Sequence, residues 1–402
     1  MRRHVLVAVS GGIAAYKIPE LVRALDRAGH AVRCVLTEAA TQFVSPLVLQ
    51  TLTHEPVRTS LLDPGEEGQI GHIDLADWAE AVVVAPATAN VLAKLAAGIA
   101  DDLVTTVLLA TRAPVLVAPA MNVNMWEHPA TQANLATLRA RGVRFVGPEA
   151  GELACGWEGT GRMSEPAAIA GEVELLLGTK SLAGERVIVT AGGTREAIDG
   201  VRALVNRSSG KMGFALAAEA ARRGADVALV AGPTALATPR GVRRIDVESA
   251  LDMRAAVLSE WPRASVLVMA AAVADFRPAD SVAGKLKKED LAEGAGLELR
   301  LVQNPDILAE LSRERGARIV VGFAAESRDV LAAARRKLVR KGCDLLVAND
   351  VSRSDAGFES DRNAVALLSP DGTVEELPLL DKPEVAARIW DRIEKLRPER
   401  PR

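Results

Sequence analysis

Residues 186–213 read RVIVTAGGTREAIDGVRALVNRSSGKMG, and the fold of the surrounding chain follows from them. Val187, Ile188 and Val189 form a short apolar run of the kind that fills a buried parallel strand. Gly192, Gly193 and Thr194 come next, then a polar loop ending in Asn206-Arg207-Ser208-Ser209-Gly210-Lys211-Met212-Gly213, then a helical pattern, FALAAEAARRGA. A strand, a small-residue loop and a helix direct backbone N–H groups and the positive end of a helix toward one point, where a phosphate is favoured. Such a unit opens an α/β nucleotide-binding domain. The 185 residues before it therefore predict a domain of their own.

Working outward, the same logic recurs on both sides. Toward the N-terminus, short apolar runs at 4–9, 31–36, 81–84, 115–118 and 143–145 alternate with helical stretches, the last at Pro166–Leu177. Toward the C-terminus, runs at 187–189, 227–230, 266–269, 319–321 and 345–347 do likewise, and Pro370-Asp371-Gly372 predicts a hairpin over 363–377. Alternating strands and helices predict two α/β, doubly wound, Rossmann-like domains, 1–180 and 181–402, with sites at the carboxyl ends of strands. Small and polar residues stand there: Ser10, Thr37, Pro86 to Asn90, and Pro119 to Asn122. The halves share an architecture and no sequence repeat.

Composition narrows the function. Nearly half the residues are hydrophobic (49%), enough for two cores, and no apolar run reaches the roughly 18 residues that span a bilayer. Arg2-Arg3 before HVLVAVSGGIAA imitates a signal peptide, but Gly11-Gly12 breaks the run and a βα pattern continues, which predicts a first strand. Three cysteines, Cys34, Cys155 and Cys343, lack paired spacing and point to a reducing cytoplasm. A net charge of −3 with 3% aromatic residues gives no footprint for nucleic acid.

Several residues carry candidate chemistry. Ser10-Gly11-Gly12-Ile13-Ala14, Thr37 and Ala85-Pro86-Ala87-Thr88-Ala89-Asn90 each follow a strand, and together they offer hydroxyls and N–H donors to a phosphate and a flat ring. The second and third glycines of the dinucleotide fingerprint are missing, as is an acid closing the second strand, which argues against a ribose-binding dinucleotide site. His72 leads a helical stretch, where a lone histidine is more often a surface or capping residue; Asn122 follows a strand and by itself reads also as a turn residue. Cys155 lies in GELACGWEGTGRM, too glycine-rich for helix or strand; that composition predicts a mobile lid with a thiol able to donate a proton. Lysine is scarce, 11 of 49 basic residues, yet Lys285, Lys287 and Lys288 cluster beside glycine, which predicts a flexible loop closing on phosphates. Asp275, after an apolar run, is a candidate for Mg2+, a base or a ribose, or a helix cap.

SGGIAAYK, GHIDL, APATAN, PAMNVNM and GELACGWEGTGR, in this order, resemble the flavin-dependent cysteine decarboxylases over residues 1–178. AGGTRE, NRSSGKMG, AAVADF, KLKK, NPDI and GFAAE resemble phosphopantothenoylcysteine synthetase over 184–393, and the fusion resembles the bacterial bifunctional coenzyme A biosynthesis proteins. The resemblance implies a flavodoxin-like first domain holding FMN on Ser10, Gly11, Gly12, Ile13, Thr37, Thr88, Ala89 and Asn90. His72 would assist oxidation and decarboxylation, Asn122 would hold the departing carboxylate, and Cys155 would supply the last proton. In the second domain it implies CTP on Met269, Ala270, Ala271, Asp275, Lys285, Asn304, Pro305, Asp306, Ile307, Phe323, Lys337 and Lys341. Ser209, Gly210 and Gly213 would cradle its triphosphate, with Mg2+ on the phosphates. Arg202 and Asn206 would meet 4'-phosphopantothenate, and Lys285 and Asn206 would act in catalysis. It further implies L-cysteine as co-substrate and a homo-oligomer of trimeric and dimeric units, a dodecamer. Two other classes fit the two α/β halves: an NAD(P)-dependent oxidoreductase, and a non-catalytic flavin-binding regulatory subunit.

Overall fold

In a computed structural model of the chain, which describes residues 2–61, 71–152, 156–280, 282, 284–287, 297–326, 329–350 and 360–397, the apolar runs become strands of two sheets in two units, 1–178 and 179–402. The first unit runs β1 (His4–Val9), α1 (Ile18–Arg27), β2 (Ala31–Leu36), α2 (Pro46–Thr53), α3 (Gly71–Trp78), β3 (Ala81–Ala87), α4 (Ala89–Ala97), α5 (Leu103–Ala110), β4 (Val115–Pro119), α6 (Val123–Glu127), α7 (Pro129–Ala140), β5 (Arg144–Phe145), β6 (Glu149–Glu152), β7 (Glu158–Arg162) and α8 (Pro166–Leu177). Its sheet has the order β2-β1-β3-β4-β5, all parallel, with Val7 beside Cys34 on one side and Val83 on the other.

The period of two along β1 sorts its side chains between two cores. Val5, Val7 and Val9 pack with Leu21 and Leu25 of α1 and Ile169 and Val173 of α8. Leu6 and Ala8 pack with Leu75 of α3, Leu92 of α4, Val104 and Val107 of α5 and Leu135 of α7. A strand buried on both faces has no polar position, which is why the run HVLVAV shows no alternation.

The second unit continues with β8 (Arg186–Ala191), β9 (Arg195–Ala197), β10 (Ala203–Val205), α9 (Lys211–Arg222), β11 (Asp226–Ala231), β12 (Val242–Asp246), α10 (Ala250–Glu260), β13 (Val266–Met269), β14 (Phe276–Pro278), β15 (Leu301–Gln303), α11 (Ile307–Arg313), β16 (Ile319–Glu326), α12 (Val330–Lys341), β17 (Leu345–Asp350), β18 (Arg362–Asn363), β19 (Val365–Leu368), β20 (Val374–Glu376), β21 (Leu380–Asp381) and α13 (Lys382–Leu396). Its main sheet has the order β12-β11-β8-β13-β16-β17-β19-β20. The first six strands are parallel, and the expected hairpin supplies the antiparallel edge, β19 and β20.

Two expectations need correction. The glycine-rich segment around Cys155 is not devoid of strand: β6 and β7 pair antiparallel, Gly151 beside Gly159, on either side of residues 153–155, which lie outside the described residues. Composition hid the hairpin because glycine is depleted in strands except where another backbone comes close. The edge strand β12, VRRID, also escaped the pattern, since it is half exposed and carries two arginines.

α13 shows how helices are fixed to the second sheet. Val385, Ala386, Ile389, Trp390 and Ile393 form its buried stripe, at helical spacing. Trp390 is fully buried, and its Nε1–H donates to the Leu216 carbonyl of α9 at 2.9 Å. Nearby, Arg223 at the end of α9 bonds Glu219 and reaches Asp391 and Glu394 of α13. Trp390→Ala should therefore cost about 3–5 kcal/mol in the second unit. Val339→Ala, at an exposed site, should stay within about 0.5 kcal/mol. Denaturant unfolding of both variants checks the contrast.

Candidate functional sites

In the first unit, the order β2-β1-β3-β4-β5 reverses direction between β1 and β3, and ligands of such sheets bind at that switch, outside the strands' carboxyl ends. Ser10 ends β1 there with its side chain buried. Its Oγ donates to the Pro86 carbonyl (2.6 Å) and accepts from the Thr88 N–H (3.2 Å), tying the loops after β1 and β3 together. Gly12 starts a 3-10 turn, Ile13–Lys17, with no side-chain cap. Thr88 caps α4 by accepting from the Val91 N–H at 3.4 Å, and Thr37 caps the turn after β2 by accepting from the Ala40 N–H at 3.2 Å. Three helical starts thus converge on the switch point, each presenting N–H donors that no intrahelical carbonyl can satisfy. That donor set, flanked by the exposed side chain of Ile13, fits a phosphate-bearing planar cofactor. A groove of about 750 Å³, lined by Tyr16, Leu47 and Val48 among others, includes none of these residues.

The loop after β4 joins this line. The Ala120 N–H donates to the Ala87 carbonyl (3.0 Å), and the Met121 N–H donates to the Gly161 carbonyl on β7 (3.0 Å). Asn122 caps α6, its Oδ1 accepting from the Asn124 N–H at 2.9 Å. A Cβ on Gly161 would lie 2.2 Å from the Met121 carbonyl oxygen, so only glycine lets the hairpin lie flat on the loop that carries Asn122. This contact was invisible in the sequence, where Gly161 was one glycine among several. His72 stands half-buried in the first turn of α3, and none of these hydrogen bonds includes it. Cys155 lies outside the described residues.

In the second unit, a cavity of about 600 Å³ opens beyond the carboxyl end of β13, next to β8 in the sheet. One wall is Asn206 to Gly213, the loop and first turn of α9. Gly210, at φ 77°, caps α9 without a side-chain bond, leaving the N–H groups of the first turn to the cavity. A second wall is Met269 to Asp275, held by two threonines: the Ala271 N–H donates to Thr190 Oγ1 (3.1 Å) and the Ala274 N–H to Thr194 Oγ1 (3.0 Å). Asn304 to Ile307, Phe323, Lys337 and Lys341, all predicted for the nucleotide, line it as well. Asn304, buried, bonds the Ala274 carbonyl through Nδ2 at 2.9 Å, and Asn206 Nδ2 bonds the Val273 carbonyl at 3.1 Å. Burial alone would raise the Asp306 carboxyl, but the Lys341 ammonium and the Ala309 N–H outweigh it and hold it below the usual carboxylate range.

Two predicted residues, Lys285 and Arg202, sit off this cavity, and Asp275 lines it from a loop rather than a strand end. Lys285 is exposed and lines no part of this cavity. Its segment is tied down rather than loose: the Leu286 N–H donates to Asp199 Oδ2 (3.1 Å), and Arg202 donates to the Leu286 carbonyl (2.8 Å). Lys288 lies outside the described residues. Arg202 is also off the cavity wall, its guanidinium forked on the buried side chain of Asp199, whose carboxyl it holds far below the ordinary value. Asp275 stands six residues beyond β13, exposed, its carbonyl accepting from the Asn304 N–H at 2.8 Å. Conversely, Lys211, Arg340, Asn349, Asn363 and Lys382 line the cavity without having been placed there by sequence. No group of three or more His, Cys, Asp or Glu suited to a metal occurs among the described residues, and no described helix is long and apolar enough to cross a membrane.

Comparison with known proteins places both units in known families. Residues 1–177 match the family described as "Flavoprotein", and residues 182–396 match the "DNA/pantothenate metabolism flavoprotein C-terminal domain". The chain is 49% identical to the coenzyme A biosynthesis bifunctional protein CoaBC of Vibrio cholerae, over 96% of each chain. It is 48% identical to that of Escherichia coli K12, over 97% of this chain and 96% of the other. With that of Bacillus subtilis it shares 47%, again over 97% and 96%.

The Met121–Gly161 contact can be tested by itself. In Gly161→Ala the hairpin must lift, and the Met121 amide should lose its protection from hydrogen exchange while the β1 amides keep theirs. Continued protection of Met121 would show that the hairpin tolerates a Cβ.

Proposed function

The chain belongs to the family of bifunctional coenzyme A biosynthesis proteins, and from that premise we propose how its two units divide the work. The chain is a phosphopantothenoylcysteine synthetase and an FMN-dependent phosphopantothenoylcysteine decarboxylase in one polypeptide. The second unit condenses 4'-phosphopantothenate with L-cysteine using CTP, and the first decarboxylates the product to 4'-phosphopantetheine. The observation that carries this reading is identity of nearly half the residues over 96% of this chain and of its relative. An NAD(P)-dependent oxidoreductase or a non-catalytic subunit has no comparable support.

In the ligase unit, a carboxylate oxygen of phosphopantothenate attacks the α-phosphorus of CTP. The bond to the β-phosphate breaks, and pyrophosphate leaves with its electron pair. The cysteine amine then attacks the acyl carbon of the acyl-cytidylate, loses a proton and expels CMP. The N–H groups of Ser209, Gly210 and Gly213 suit the phosphates, because the start of α9 is uncapped and faces the cavity. Lys337 and Lys341 add positive charge on the same walls, and Mg2+ enters with the triphosphate, Asp275 being its candidate side chain. Asn206 is placed to meet the second substrate; Arg202 and Lys285, on two segments joined by the Arg202–Leu286 hydrogen bond outside the cavity wall, are assigned to phosphopantothenate and to CTP by the family resemblance alone. The choice of cytidine follows the family.

In the decarboxylase unit, Ser10, Gly11, Gly12 and Ile13 with Thr37, Thr88, Ala89 and Asn90 hold FMN at the switch point. Bound flavin supplies a reversible two-electron sink, so that the carboxylate leaves next to an oxidised carbon and no external oxidant is consumed. Asn122 presents its amide to the departing carboxylate, His72 moves the proton that accompanies oxidation, and Cys155 protonates the carbon next to the one carrying sulfur. The gene product works in the cytoplasm as a homo-oligomer, a dodecamer of trimeric and dimeric units. Exposed Tyr16 and Leu47 on the first unit and Val201 and Val205 on the second are apolar surface for such contacts.

The full-length protein, purified yellow and given phosphopantothenate, cysteine and CTP, should release CMP, pyrophosphate and CO2 in equal amounts with phosphopantetheine. Cys155→Ser should still release CO2 but stop at the enethiol, a pair of hydrogens short of phosphopantetheine by mass. A serine hydroxyl is a far weaker acid than a thiol, whose reference pKa is about 8.5. Full turnover by the serine variant would remove the thiol from the proton step.

A further inference from the structure

One corner of the second unit's cavity is positively charged by residues that the reading above leaves without a role. Lys382 opens α13 and is 4% exposed; its backbone N–H donates to the Asp361 carbonyl at 2.9 Å, and its Nζ donates to the Ser360 carbonyl at 2.5 Å. Lys211 opens α9, and its Nζ pairs with Asp361 Oδ1 at 2.7 Å. Residues 360 and 361 therefore hold two ammonium groups, from the starts of two helices, on the wall of one cavity. Among the described residues, the Asp361 carboxylate, with an exposed side chain, pairs with Lys211. Burial, and next the charge of Lys211, push the Lys382 amine below its ordinary range, a cost that an arriving anion offsets. Asn349 lines the same cavity, and its Oδ1 is buried without a hydrogen-bond partner, an unsatisfied polar atom of the kind that a bound ligand or water accounts for.

We propose that Lys382 and Lys211 form the subsite for the outer phosphates of the nucleotide and hold pyrophosphate as it leaves. The inference rests on the ligase reading. Lys211 belongs to the first turn of α9, where that reading puts the triphosphate, and residues 360–361 bring Lys382 to the same end of the cavity. When the bond between the α- and β-phosphates breaks, the electron pair stays on the β-phosphate oxygen. Negative charge grows on pyrophosphate, beside the two lysines, while the α-phosphate passes to the acyl oxygen.

Inorganic pyrophosphate is the probe. Titrated by calorimetry into the full-length protein it should bind, and Lys382→Gln and Lys211→Gln should each weaken it about tenfold to a hundredfold, the loss expected for one charged hydrogen bond. The KM for CTP should rise in the same range, with the KM for phosphopantothenate and the decarboxylation of added phosphopantothenoylcysteine unchanged. Lys211, a third exposed, keeps the test open should Lys382→Gln not fold. Pyrophosphate affinity unchanged in folded variants overturns the subsite, and so does a rise in the phosphopantothenate KM alone, which would give these lysines to the other substrate's phosphate. A wild-type protein that binds pyrophosphate through both lysines yet forms no CMP supports the subsite and refutes the ligase reading.

Discussion

At Gly213 a Cβ would lie 2.5 Å from Ala191 Cβ and 2.9 Å from the Thr190 carbonyl oxygen, so α9 presses its first turn onto the end of β8 only because this position has no side chain. That approach aims the uncapped start of α9 at the cavity beyond the carboxyl end of β13. Thr190, at the same strand end, uses its hydroxyl to hold the Ala271 N–H, which sets the opposite wall. The cavity is thus defined by a helix–strand distance and a threonine, and the charged residues are added to a frame that backbone contacts already determine. Backbone donors cost no side-chain entropy to hold in place, which suits the triphosphate proposed for this site.

The first unit solves the same problem with different residues. Ser10 takes the part of Thr190, bonding the loop beyond the neighbouring strand, and the starts of three helical segments take the part of α9. The two units have unlike strand orders, five parallel strands in one and a mixed eight-stranded sheet in the other, yet both place their site at the sheet's switch point. What distinguishes the chemistry is what stands next to the phosphate donors: Asn122 and the β6–β7 hairpin in one unit, lysines from three helices in the other.

Strands buried on both faces, such as β1 and β8, were legible because their apolar runs are short, uninterrupted and bounded by glycine. The walls made of consecutive residues, 206–213 and 269–275, were legible for the same reason: a local motif carries them. Lys382 and Asn363 were not, because they reach the cavity from elements that follow the parallel strands, and Asn349, near the end of β17, carried no motif of its own. Nothing in DKPEVAAR distinguishes a buried lysine from a surface one. The β6–β7 hairpin was misread because glycines that admit a neighbouring backbone look, in sequence, like glycines of a loose loop. In the lysine cluster, whose composition predicts a closing loop, Asp199 and Arg202 tie the described start, at Leu286, to residues 198–202, and Lys288 lies outside the described residues.

The central claim is that the first turn of α9, seated by Gly213, receives the nucleotide phosphates. The most direct test is a structure of the full-length protein with Mg2+ and CTP. The account predicts the triphosphate within hydrogen-bond distance of the N–H groups of residues 209–213, with its outer phosphates toward Lys211. A triphosphate bound instead along the segment carrying Lys285 and Lys287, with the first turn of α9 left to solvent, would contradict it.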